Sequence, residues 1–418
     1  MSISKAPIIS KFGLISGVLF LLFSLIGRFL FPFGDEPDFG VRAFTMLNHD
    51  SAFWRNPYFI FNDLIQNIST DESIHCKPLI GADGSRQRIA IFASIDPITC
   101  TEKLEQILAR YFIIVITTLP LLFAIIFRRA FIYVVGAINF KLTTVEWGNR
   151  LDALSLTLIF PSIIYYLGVF SLEQSVLILS LLVFLFWGFR VFMIGLLALI
   201  AFVDLGNFSV VFTFIVFSVS FIILAKKCST KTSFLAMFSI ILFAYISDYS
   251  VLIYLEQVYL ISEIATSILS KVMYLQHINS DLLEKYPLYL RPIITFMSGT
   301  FMTPSGIKVI PIYIIFSVFF VTLIFKLKRL YIISYREKFM NNIAFNIVQT
   351  KIILLASTVT LILFFVFLFP DYSFAKYYVF IIPFIFYTAL IVYMKFNILI
   401  IIIISNLIVF LNLILFRL

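Results

Sequence analysis

Apolar runs long enough to cross a bilayer recur from Phe12 almost to the end of this 418-residue chain. Hydrophobic side chains make up 61% of the residues and charged ones only 13%, far from the balance of a water-soluble domain. The expected fold is therefore all-α, a polytopic transmembrane helical protein. Spans of about 20 residues are placed near 12–32, 109–127, 152–170, 174–189, 191–204, 207–225, 233–255, 308–325, 351–369, 377–394 and 397–416, about eleven in all. The first run has no small-residue cleavage site and is read as a retained span. The run 130–140 is too short to cross and starts from Arg128-Arg129, so it is read as interfacial or re-entrant.

The formal net charge of +9 raises the question of nucleic acid. Lys and Arg instead gather at the ends of the apolar runs, which is the orientation signal of membrane insertion, and no basic helix or aromatic-interleaved basic strand occurs. Lys5, Lys11, Arg128-Arg129, Lys141, Arg150, Arg190, Lys226-Lys227, Lys326, Lys328, Arg329, Arg336 and Lys338 all fall on the cytoplasmic side in one threading. That threading makes 1–418 a single transmembrane domain, with the N-terminus cytoplasmic and the C-terminus periplasmic. Polar segments 34–107 and 256–307 then face outward, and 326–350 is a cytoplasmic loop.

Polar chemistry is thereby concentrated on the outward side. The run Gly34-Asp35-Glu36-Pro37-Asp38 follows the first span directly. A carboxylate there, held near a hydroxyl and shielded from water, has the properties of a general base. Three carboxylates at a membrane edge are otherwise a solvated boundary that ends the span. Arg42, four residues after Asp38, suits either an ion pair with it or a phosphate ligand. Two lone acids, Glu173 and Asp204, stand where one apolar run gives way to the next; each lines a site or caps a helix. Arg291 and His277 lie in the second outward segment. Arginine's planar fork binds two oxygens of a diphosphate at once, which singles out Arg291. If the first segment faces an oxidising compartment, Cys76 and Cys100 can pair as a disulfide; otherwise they are two thiols. Neither belongs to a Cys-x-x-Cys pair, so no metal site is expected. There is no Walker A loop, no His-Glu-x-x-His and no Gly-x-Ser-x-Gly. The spans lack the frequent Gly and Pro breaks of transporters.

The stretch Ser171-Leu172-Glu173-Gln174, with Asp204-Leu205-Gly206-Asn207 about 30 residues later, resembles the middle of Wzy/EpsG-type O-antigen and exopolysaccharide polymerases. That family has Arg at the position of Glu173 and His at that of Asp204. Gly34-Asp35-Glu36-Pro37-Asp38-Phe39 followed by Phe44 looks like the same family's pattern after its first span. The N-terminal run, with Trp54-Arg55-Asn56-Pro57, is also similar to GT-C glycosyltransferases, which carry an acidic pair in the first outer loop. Both resemblances imply transfer from a polyprenyl-linked donor at the outer face of a bacterial inner membrane, either joining polyprenyl-diphosphate-linked glycan units or, as in GT-C enzymes, adding a single sugar from a polyprenyl phosphate. They imply a GT-C-like arrangement, no nucleotide or redox cofactor, and other polysaccharide-assembly membrane proteins as partners. Asp35, Glu36 or Asp38 would supply the base, Arg42 and Arg291 would hold phosphate, and Glu173, Asp204 and His277 would contact substrate. A transporter or flippase of lipid-linked glycan and a non-catalytic scaffold are the rival classes.

Overall fold

The computed structural model describes residues 9–30, 104–138, 142–168, 172–258, 310–336, 342–368 and 378–417. Among these residues the chain is helical throughout, with no strand. The helices are α1 Lys11–Leu30, α2 Leu104–Ile126, α3 Arg128–Ala137, α4 Thr144–Leu158, α5 Pro161–Gly168, α6 Leu172–Leu185, α7 Arg190–Val203, α8 Leu205–Lys227, α9 Thr230–Val258, α10 Ile310–Arg336, α11 Asn342–Leu368, α12 Ile382–Ala389 and α13 Lys395–Arg417. A 3-10 turn, Val379–Ile381, leads into α12. Among the described residues four helices are long and apolar enough to cross a membrane alone, and up to six spans result if each of two bent pairs is one. Residues 326–350, expected as a loop, are largely helical, since α10 continues to Arg336 and α11 starts at Asn342.

Bends divide the longer apolar runs. The chain turns by 95° at Phe127, so that α3 runs across the end of α2 instead of prolonging it. Expected span 152–170 turns by 72° between α4 and α5. Proline lacks an N–H and disfavours helical geometry in the residue before it, so Phe160-Pro161 ends one helix and starts the next. Helices α6 and α7 have 14 residues each and are about 21 Å long, shorter than a hydrocarbon core of about 30 Å. They pack against each other and against α8.

One large core joins α1 to α8 and α10 to α13, and a small second cluster of Phe221, Ala225, Met237 and Ile353 lies where α8, α9 and α11 meet. Helix α1 enters this core through small residues. Gly13, Ser16, Gly17, Ser24 and Gly27 are buried on one face of it. A Cβ at Gly13 would lie 1.9 Å from the Ile125 carbonyl oxygen, so the α1 and α2 backbones touch there. The Ser10 amide donates to the Ile126 carbonyl at 2.9 Å and fastens the same crossing. Close backbone approach through small residues is how membrane helices gain contact where no hydrophobic drive separates them from lipid.

The bends leave helix ends inside the protein. Asn406 of α13, fully buried, donates its amide to the Ile159 carbonyl at the end of α4, at 2.8 Å. Two outcomes follow. Gly13→Ala separates α1 from α2 and costs about 1–3 kcal/mol, read as a lowered Tm of the detergent-solubilised protein. Asn406→Leu keeps the volume but leaves the Ile159 carbonyl unmet, a loss of about 1 kcal/mol in the same assay.

Candidate functional site

Contacts between distant residues sort the bundle into two ends. One collects the positive charges: Arg128, Arg150 and Lys395 share carboxylates there, Lys351 meets α12, and Lys326 lies 4.0 Å above the Tyr393 ring. Gln349 donates to Thr230 at 2.7 Å and brings the starts of α9 and α11 to this end. At the opposite end lie the exit of α1, the α5–α6 junction and the α7–α8 junction.

That opposite end is built around the carbonyl terminus of α5, an eight-residue helix whose last acceptors have no partner within it. Arg28, buried near the end of α1, donates to the Gly168 carbonyl at 3.1 Å. Gln174, buried in the first turn of α6, donates to the Leu167 carbonyl at 2.7 Å. A cation at a helix C-terminus also meets the negative end of the helix dipole. The two bonds pin the exit of α1 beside the start of α6.

Glu173 sits here, half-buried in the first turn of α6, where the positive helix end favours a carboxylate. Asp204 caps α8. Its carboxylate accepts the Asn207 backbone amide at 3.4 Å and the Asn207 side-chain amide at 2.8 Å. Asp35, Glu36 and Asp38 follow the last residue of α1 by five, six and eight positions. They lie outside the described residues, as do Arg42, His277, Arg291, Cys76 and Cys100. Of the expected site residues, Glu173 and Asp204 are therefore the two that are placed, at neighbouring helix junctions of one end.

The basic end holds a network that sequence reasoning missed. Arg150 of α4 donates through Nη1 to the Leu185 and Trp187 carbonyls, both at 2.7 Å, and thereby closes the end of α6. Its Nε meets Glu146 at 3.3 Å, one helical turn back. The same Glu146 oxygen accepts the Tyr387 hydroxyl of α12. Lys351 of α11 donates to the Tyr387 carbonyl at 2.8 Å and lies 3.4 Å above the Tyr387 ring. Beside this group, Asp152 binds Arg128 at 3.3 Å and Lys395 at 3.1 Å. Gly148 gives Arg128 its path, because a Cβ there would lie 1.5 Å from the guanidinium.

Three cations, Arg128, Arg150 and Lys395, thus share two carboxylates. Arg150 and Lys351 meet carbonyls near helix ends, and Glu146 holds Arg150 in place. Among the described residues no group of three or more His, Cys, Asp or Glu side chains could hold a metal ion. The spacing Glu146-x-x-x-Arg150 was the available signal, since charges four apart on a helix face one another. Arg150→Met removes the donor to two buried carbonyls and leaves the Glu146 charge without its guanidinium. It costs about 3 kcal/mol, read as a fall in Tm, and adding Glu146→Gln recovers part of that loss. Comparison with known proteins returned no match, whether to a family model, a curated protein or a solved structure.

Proposed function

We propose that the chain is a membrane glycosyltransferase of the polysaccharide-polymerase type. It joins polyprenyl-diphosphate-linked glycan units at the end of the bundle where α1 exits. The observation that carries this reading is the pinning of that exit. Arg28 and Gln174 hold α1 against the start of α6, which carries Glu173, and in the sequence the acidic run Asp35-Glu36-Pro37-Asp38 begins five residues after α1. In this reading a carboxylate of the run takes the proton of the acceptor hydroxyl, while Arg42 and Arg291 hold the diphosphate that leaves. Glu173 orients a sugar hydroxyl. Asp204 contributes through the helix junction that it caps.

The finer architecture belongs to the same proposal. With the shorter helices counted as crossing, the chain has about eleven spans in a GT-C-like arrangement. The positive-inside tendency then puts the basic end in the cytoplasm and the α1 exit in the periplasm of an inner membrane. A transporter or flippase of lipid-linked glycan is the second reading, and the bends of 95° and 72° are what favour it, since carriers use interrupted helices.

Replacing Glu36→Gln together with Asp38→Asn tests the first reading in cells. General-base catalysis supplies about 10²–10⁴-fold in rate, so long-chain surface polymer should disappear while the protein still inserts and accumulates. A polymer ladder reduced to single repeat units indicates a polymerase. Loss of the repeat unit altogether indicates a flippase or a single-sugar transferase, and an unchanged ladder removes Glu36 and Asp38 from the chemistry.

A further inference from the structure

A lateral groove of ≈720 Å³ opens along α7 at the basic end. Ile138 at the end of α3 forms one wall, and Phe192, Leu196 and Leu199 of α7 form the other. Its floor is Gly195, where an added Cβ would meet nothing within 4 Å. From Arg190 to Leu199 the groove follows α7 for about 14 Å. Its lining is apolar except at one end, where Arg190 stands.

Arg190 is out of place by the usual electrostatics of helices. It is the first residue of α7, where the helix dipole is already positive. The first turn of α7 carries no acidic residue, and its N-cap, Phe189, offers no side-chain acceptor. The first backbone bond of the helix is made by the Met193 amide to the Phe189 carbonyl at 2.9 Å. The guanidinium is exposed, and none of the ion pairs among the described residues includes it. Positive charge from a side chain and from a helix end therefore converge on one mouth of an apolar trough.

We propose that this groove is a binding site for one anionic phospholipid, with the phosphate of its headgroup at Arg190 and an acyl chain laid along α7 over Gly195. Charge complementarity decides the occupant. An apolar trough of this volume is within the range of small-ligand sites, about 300–1,000 Å³. The cation at its mouth discriminates between an anionic headgroup and a zwitterionic one. The bend at Phe127 turns α3 across the end of α2, and Ile138 at the end of α3 lines the groove opposite α7. This site is independent of the glycosyl-transfer reading, which concerns the other end of the bundle.

The test uses the full-length protein in neutral detergent, titrated with phosphatidylglycerol or phosphatidylcholine and read by native mass spectrometry of retained lipid. The wild type should prefer phosphatidylglycerol by about fivefold, the ratio that one arginine near a membrane surface provides. Arg190→Gln should bring that preference close to one. Gly195→Leu fills the floor and should lower retention of both lipids. The space around Gly195 is open and leucine is the better helix former, so Tm should hold or rise. Equal retention of the two lipids by the wild type, or an undiminished preference in Arg190→Gln, overturns the proposal. Displacement of the lipid by inorganic phosphate alone also overturns it, because it would show an anion site without an acyl groove.

Discussion

The last carbonyls of short helices govern this structure. A helix that ends at the surface of a soluble protein leaves them to water, but a helix that ends inside a membrane bundle has no such recourse. Four of the helices here end that way, and each terminus is met by a side chain from elsewhere. Asn406 meets α4, Arg28 and Gln174 meet α5, Arg150 meets α6, and Lys351 meets α12. Three of the five donors are cations, which also suits the negative end of a helix dipole. The carboxylates are then secondary: Glu146 is placed to hold Arg150, and Tyr387 to hold Glu146. Buried charge in this protein follows from broken helices, not the reverse.

This division of labour bears on the two ends differently. At the basic end the caps form a closed network in which each group has several neighbours. At the opposite end α5 is held by one donor from α1 and another from α6, so three elements meet at one short helix. Residues attached to such a junction are carried on rigid elements. A constellation needed for group transfer has to be held closely in position, and rigid supports serve that better than loops.

The architecture was legible wherever the solvent dictated it. Among the described residues the expected apolar runs are helical, as hydrocarbon demands of the backbone, but four helices are long enough to cross alone, and 152–170 and 377–394 hold shorter pieces. The short run after Arg128-Arg129 could not continue its predecessor, and α3 does turn away from α2. Asp204 reads as a cap from its place before Leu205-Gly206-Asn207, and it caps. Three features were not read. Pro161 breaks the span 152–170, a local signal that the surrounding apolar residues masked. Gly13 and Gly17 have the spacing of a close helix crossing, yet only the touching backbones give that spacing its meaning. The roles of Lys351 and Asn406 have no local signature, since their acceptors lie 36 and 247 residues away.

Those separations have a consequence for biogenesis. The bonds Glu146–Tyr387, Asp152–Lys395 and Ile159–Asn406 join residues 241, 243 and 247 positions apart. The length of α4 and the pair α12 and α13 are thus complementary, and the ribosome makes them far apart in time. At about 5–20 residues per second, α4 waits roughly 12–50 seconds for α12 and α13. Throughout that interval Glu146 and Asp152 have only their nearby partners Arg150 and Arg128, and the Ile159 carbonyl lacks Asn406. A nascent chain stopped before Tyr387 lacks all three closures at once, and a membrane quality-control protease would meet it with α4 not yet joined to α12 and α13.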